Sequence, residues 1–278
     1  MAKIITDTSA LFSVEEGAGL GVGVLPLSVT LNGQTYREFV DISSEKFLEL
    51  LKKDGIPTSS QPSIGAVLEM YNRFPEEELL VLCMADGLSG TYQSACSAAK
   101  LADSPENITV INTGTLAGPH RYMVEKAAAL AKEGLSVAQI VPQLQSSLEN
   151  NKSFLIPNDF SFLKRGGRLT PLAAAVGGML KIVPVMTQTE DRGKLEKFAM
   201  KRTFPAAIDA IAASLDKMGV TDHYKLYILH ADAMELAEKA RLLLAGHFPN
   251  VQQEILSLSP VFITQGGPGC LAVQVVLK

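Results

Sequence analysis

Apolar residues arrive along this chain in two rhythms. Short solid runs, KIIT (residues 3–6), LLVLCMA (79–85) and NITVIN (107–112), alternate with longer stretches whose apolar positions recur every three or four residues. The runs predict strands. The longer stretches, SGTYQSACSAAKLA after the second run, TLAGPHRYMVEKAAALAKEG after the third and SVAQIVPQLQSSLENN beyond, predict helices. Strand, loop and helix in this order predict a mostly parallel sheet covered on both faces. Ahead of it, VGVLPLSVTLNGQTYREFV (22–40) reads as two strands around Asn32-Gly33, a dipeptide suited to tight hairpins. Ser43 or Ser44 is placed to cap a helix through Phe47, Leu48 and Leu51. IPTSSQPS (56–63) reads as a turn-rich loop, followed by a helix over IGAVLEMYNRF.

The grammar changes after about residue 151. KSFLIPN is a strand, FSFLKRGGRLT a helical turn broken by glycine, PLAAAVGGML (171–180) a small-residue helix. KIVPVMTQ and KLEKFAM flank TEDRG as a hairpin. Phe204, Ile208, Ile211, Leu215 and Met218 mark an amphipathic helix, and KLYILHA, VQQEILSL and LAVQVVLK supply further strands. The expected organisation is α/β in two domains: residues 1–151 with a mostly parallel sheet and helices on both faces, and residues 152–278 as an α+β unit.

A length of 278 residues suits two domains, and 47% hydrophobic residues supply ample core. A net charge of −4 without basic clustering, no Trp and 6% aromatics argue against a nucleic-acid surface. The N-terminus shows no apolar leader, and no apolar run reaches the roughly 18 residues of a membrane span. Cys83, Cys96 and Cys270 form no CxxC pair and read as core thiols of a reducing compartment. A cytoplasmic protein is the expectation.

Candidate chemistry gathers where strands end, the place ligands favour in open α/β sheets: Thr8, Ser9, Ser89, Thr91 and Thr113. GAGLGVG (17–23) alternates glycines ahead of a strand, unlike a dinucleotide fingerprint, and reads as a flexible turn. Gly87-Leu88-Ser89-Gly90-Thr91 lacks the last glycine of a nucleophile elbow, although Ser89 with His230 and Asp232 would compose a hydrolase triad on paper. Ser89 and Thr91 could equally cradle an anion at a helix N-terminus, or Ser89 could cap that helix. SSQPS gains meaning only if it meets this stretch in space. His120, His223, His230 and His247 show no metal-ligand spacing, so no metal is expected. PEEE (75–78) and TEDRG read as solvated faces.

IITDTSA, VLPLSVTLNGQTYRE, SSQPS, LSGTYQSA, FLKRGGRLT, LKIVPVM and the closing GPG, in that order over essentially the whole chain, resemble the DegV family of bacterial fatty-acid-binding proteins. The resemblance implies a non-enzymatic carrier of two α/β domains with one fatty acid in a buried tunnel between them and no cofactor. The carboxylate would meet Ser59, Ser60, Ser89, Gly90, Thr91 and Gln265. It further implies a dihydroxyacetone-kinase-like fatty acid kinase as partner, docking at Lys164, Arg165 and Arg168, and peripheral membrane contact for lipid exchange. Ser59 stands where the family has threonine, Gln265 where it has histidine, and Asn112-Thr113 where it has Asp-Ser. PLAAAVGGML serves equally as tunnel wall or ordinary core.

Overall fold

The computed structural model describes residues 2–53, 55–174 and 182–278. The chain divides into two compact units, Met1–Glu149 with Ser259–Val261, and Asn150–Leu258 with Phe262–Lys278.

The first unit runs β1 (Ala2–Asp7), α1 (Val14–Gly19), β2 (Gly23–Leu25), β3 (Ser28–Leu31), β4 (Gln34–Arg37), α2 (Ser44–Leu51), β5 (Thr58–Ser60), α3 (Ile64–Asn72), β6 (Glu78–Cys83), α4 (Thr91–Ala99), β7 (Ile108–Asn112), α5 (Ala117–Lys132) and α6 (Val137–Glu149). Four strands form an all-parallel sheet in the order β2-β1-β6-β7. The period of two along a strand explains why the runs are solid: alternate residues feed two different cores. Ile4, Leu80 and Leu82 pack with Val124, Ala127, Ile140 and Leu144 of α5 and α6. Ile5, Leu79, Val81 and Cys83 pack with Val67 and Tyr71 of α3 and with Ala95 and Ala98 of α4.

Three local expectations change. The run 22–40 is broken at Pro26, which has no N–H for a ladder: β2 joins the parallel sheet, while β3 and β4 form the hairpin through Asn32 and Gly33, both at positive φ (51° and 77°). Thr58–Ser60 is a strand, not a loop, because β3 offers it an antiparallel edge in the register Ser28↔Ser60. Gly17 and Gly19 lie in a helix rather than a turn. Ser13 accepts the Glu16 N–H while the Glu16 carboxylate accepts the Ser13 N–H, a capping box that starts α1 in spite of its glycines.

The second unit runs β8 (Asn151–Ile156), α7 (Phe160–Gly166), α8 (Pro171–Ala174), β9 (Val183–Gln188), β10 (Leu195–Lys201), α9 (Phe204–Lys217), β11 (Tyr224–His230), α10 (Met234–His247), β12 (Gln252–Ser257), α11 (Pro260–Gly266, whose first two residues belong to the first unit) and β13 (Leu271–Leu277). Its six strands lie in the order β10-β9-β8-β13-β11-β12, antiparallel except for β11 with β12. Leu226 and Ile228 of β11 pack with Ile208, Ile211 and Leu215 of α9 and with Ala237 and Leu244 of α10. Of the run 171–180, Pro171–Ala174 form α8 and the remainder lies outside the described residues. Among the described residues no helix is long and apolar enough to cross a membrane.

Candidate functional site

The first unit carries a hydroxyl cradle at the start of α4. After β6 the chain tightens through Leu88 N–H to Ala85 O (3.0 Å) and Ser89 N–H to Ala85 O (3.2 Å), and α4 begins with Ser94 N–H to Gly90 O at 2.9 Å. Gly90 is the N-cap, and no side chain caps the helix. Ser89 therefore stands one residue outside the capping position. Its hydroxyl pairs with that of Thr91 at 2.8 Å and accepts the Thr91 N–H at 3.4 Å. Thr91 is buried, Ser89 and Gly90 half-buried. The neighbouring acid, Asp86, is occupied by the Gln93 carboxamide at 2.9 Å.

SSQPS meets this turn through Gln61, which the sequence reading did not single out. Its Nε2 donates to Ser94 Oγ at 2.7 Å, and its carboxamide lies so close over Gly90 that a Cβ there would stand 2.9 Å from Nε2 and 3.0 Å from Cδ. Ser59, half-buried, and Ser60, exposed, precede it on β5, and Ser63 follows as the cap of α3. Helix N–H groups and the paired Ser89 and Thr91 hydroxyls thus stand together, with the Gln61 carboxamide of a second loop packed beside them, a donor set suited to an oxyanion without a buried cation.

A second polar cluster sits at the end of β1. Asp7 accepts N–H groups from Ser9 (2.9 Å) and Met84 (3.2 Å), tying β1 to β6. His120 is fully buried. Its Nε2 lies 3.1 Å from Leu82 O, which can only accept, so Nε2 carries the proton and Nδ1 accepts the Ser9 hydroxyl at 3.0 Å. Burial pushes this imidazole below its ordinary pKa, against smaller opposing effects of Asp7 and Leu82. Thr8 Oγ1 accepts Leu27 N–H at 2.9 Å and donates to Glu38, whose other oxygen accepts Val261 N–H at 3.0 Å. Glu38 is completely buried. Desolvation, aided slightly by Asp7, raises its pKa to about 7 against the bonds from Thr8 and Val261. The buried Ser259 hydroxyl, beside the carboxyl but short of a full hydrogen bond, adds to that opposition. Glu38 follows a strand in which no apolar run marks the burial to come.

In the second unit, α7 ends at Gly167, whose φ of 73° suits glycine, and Arg168 is pinned by Leu195 N–H to its carbonyl at 2.8 Å. Arg168 donates to Gly166 O at 2.5 Å, while the Gln265 carboxamide lies directly against Gly166 Cα, where a Cβ would have to displace it. Gln265, Gly166 and Arg168 therefore form one group. Lys164 and Arg165 are exposed, the latter stacked over Phe162 at 4.6 Å. His230 is buried, and its Nδ1 accepts Ala233 N–H at 3.2 Å, so Asp232 does not orient the ring as a triad acid would. Among the described residues no group of three or more His, Cys, Asp or Glu could hold a metal.

An all-parallel sheet with a hydroxyl-lined helix start, joined to a mixed-sheet unit, defines an α/β protein with the makings of an anion-binding site. The DegV family model, described as an uncharacterised protein family, matches residues 1–278, and the chain belongs to the DegV family. It is 32% identical over 277 residues to a DegV domain-containing protein of Halalkalibacterium halodurans, covering 98% of this chain and 96% of that one. A Staphylococcus aureus relative is 29% identical over 279 residues, covering 99% and 98%. Among solved structures, a DegV family protein from Thermus thermophilus described by its fatty acid binding superposes with a TM-score of 0.89 at 26% identity, covering 100% of this chain and 99% of that one. DegV of Bacillus subtilis, described as a fatty acid binding protein, gives 0.86 at 27% with the same coverage.

Proposed function

We propose that the protein is a cytoplasmic, non-enzymatic carrier of a long-chain fatty acid, and that the acid's head group is received at the cradle of Ser89, Gly90 and Thr91 beside Ser59 and Ser60. The observation that carries this reading is the convergence of SSQPS and LSGTYQS on the uncapped start of α4. The fatty acid binding of the Thermus and Bacillus relatives supports it. Energetically the tail does most of the work. Each buried methylene contributes roughly 0.8 kcal/mol, so a chain of about sixteen carbons brings on the order of 10 kcal/mol gross, and the head group needs only to be satisfied.

In the same reading, Lys164, Arg165 and Arg168 dock an acidic face of a fatty acid kinase, which phosphorylates the presented carboxyl group. The exposure of Lys164 and Arg165 supports such a role. Mass spectrometry of lipid extracted from the purified protein tests the carrier: a bound acyl chain is expected. Absence of any acyl chain together with no uptake of added oleate or palmitate would sink it. Reversing both exposed charges (Lys164→Glu with Arg165→Glu) is expected to stop phosphoryl transfer by a cognate kinase while the lipid stays bound.

A further inference from the structure

The geometry points to Gln61 as a positioning residue that sets the head-group cradle by locking the SSQPS loop onto the first turn of α4. The inference rests on the fatty-acid reading above, and it concerns a side chain that faces the cradle's scaffold.

Two features of the sequence explain one another through this contact. Gly90 needs no left-handed backbone, since its φ is −73°. A side chain there would instead have to push aside the Gln61 carboxamide, which lies against its Cα. Ser94, one turn into α4 and only 5% exposed, points its hydroxyl at Gln61 Nε2. The amide thus bridges the N-cap and the first turn, and its backbone directly follows Ser59 and Ser60 on β5. Pro62, buried immediately after it, and the Ser63 cap of α3 stop the loop from following the side chain elsewhere. Gln61 is itself exposed, and ordering it without a partner would give up rotamer entropy for nothing. Here the ordering has a consequence, because it fixes where two loops' hydroxyls stand relative to the N–H groups of α4.

The chemistry at Gln61 must then be that of an amide. Only an amide presents a planar, neutral face to Gly90 and an N–H to Ser94 together. Glutamate keeps the length but loses the donor and adds a negative charge beside the anion site. Asparagine keeps the chemistry but is one methylene short.

The test compares wild type, Gln61→Ala, Gln61→Asn, Gln61→Glu, Ser94→Ala and the double variant Gln61→Ala/Ser94→Ala. Binding of oleate and of oleyl alcohol is measured by displacement of a fluorescent fatty acid, with melting temperatures in parallel. A neutral hydrogen bond of this kind corresponds to about a three- to tenfold change in affinity. Gln61→Ala and Ser94→Ala are each expected to weaken oleate by that factor. The double variant should be no worse than either single change, since both remove one interaction. Gln61→Glu should weaken oleyl alcohol about as much as Gln61→Ala does, because the lock on Ser94 is lost for both ligands, and oleate further, because the added charge opposes only the acid. Gln61→Asn should resemble Gln61→Ala. Unchanged oleate affinity in folded Gln61→Ala, additive losses in the double variant, or oleyl alcohol binding at wild-type strength in Gln61→Glu would each overturn the positioning role. Failure of the wild type to bind oleate or palmitate would overturn the carrier reading and this inference with it.

Discussion

Ser89 and Thr91 share a hydrogen bond of 2.8 Å, so one of their two hydroxyl protons is already committed and one remains to give away. That arithmetic makes the pair a single donor to an oxyanion, reinforced by the helix start. Ser89→Ala breaks the pair and removes that ordered donor. Because the N-cap is Gly90, the helix loses no cap. The expected outcome is a loss of oleate affinity of about tenfold, the scale of a hydrogen bond to a charged group, with a melting temperature within a degree or two of wild type. Unchanged binding with a clear drop in melting temperature would make Ser89 a turn residue and nothing more. The hydroxyls of this stretch were legible in the sequence because they sit between glycines at the end of an apolar run. Gln61 was not. A glutamine in a polar loop carries no local signal, and its meaning lies in a contact with Gly90 and Ser94 some thirty positions away.

Elements show the same division between local and distant causes. The alternation of strand and helix from residue 78 to 149 needed only periodicity, and it fixes the parallel sheet because each strand feeds both cores. The three-residue strand β5 escaped, since its pairing comes wholly from β3. The glycines of GAGLGVG escaped for a different reason. Gly17 is a point of close approach between α1 and β2: a Cβ would run into Val24 Cγ2 and stand 3.1 Å from Val22 O. Gly19, two residues on, faces open space. Gly17→Ala is therefore expected to destabilise the protein by about 1–3 kcal/mol through overpacking. Gly19→Ala should be neutral or stabilising by up to about 1 kcal/mol, through the unfolded chain. Urea midpoints of the two variants check this. Equal midpoints would mean that α1 can shift away from β2 without cost.

Across the whole molecule the buried titratable groups set the dependence of stability on pH, and two of them pull in opposite directions. Glu38 keeps its proton up to about pH 7 when folded and to about 4.5 when unfolded. Between those values the folded state binds more protons, so this group's contribution falls as pH rises. Above about 7 the full penalty of the buried charge is present, on the order of 3 kcal/mol. His120 works the other way. Its folded pKa lies below the ordinary 6.5, chiefly through desolvation, so its contribution falls as pH drops below 6.5. In the wild type the two slopes overlap and partly cancel below about pH 6.5. Glu38→Gln removes one of them. The amide oxygen can still accept Val261 N–H, whereas its NH₂ group must face Thr8 Oγ1, so a fixed, pH-independent offset is expected beside the change of slope. Urea unfolding at pH 5, 6, 7 and 8 separates the two. The stability of the variant relative to wild type should climb steadily from pH 5 to 7 and then level off. The variant's own profile should rise with pH up to about 6.5, exposing the contribution of His120 together with that of His230, which desolvation also holds below its ordinary pKa. Curves that stay parallel from pH 5 to 8 would show that Glu38 ionises as freely in the folded protein as in the unfolded chain.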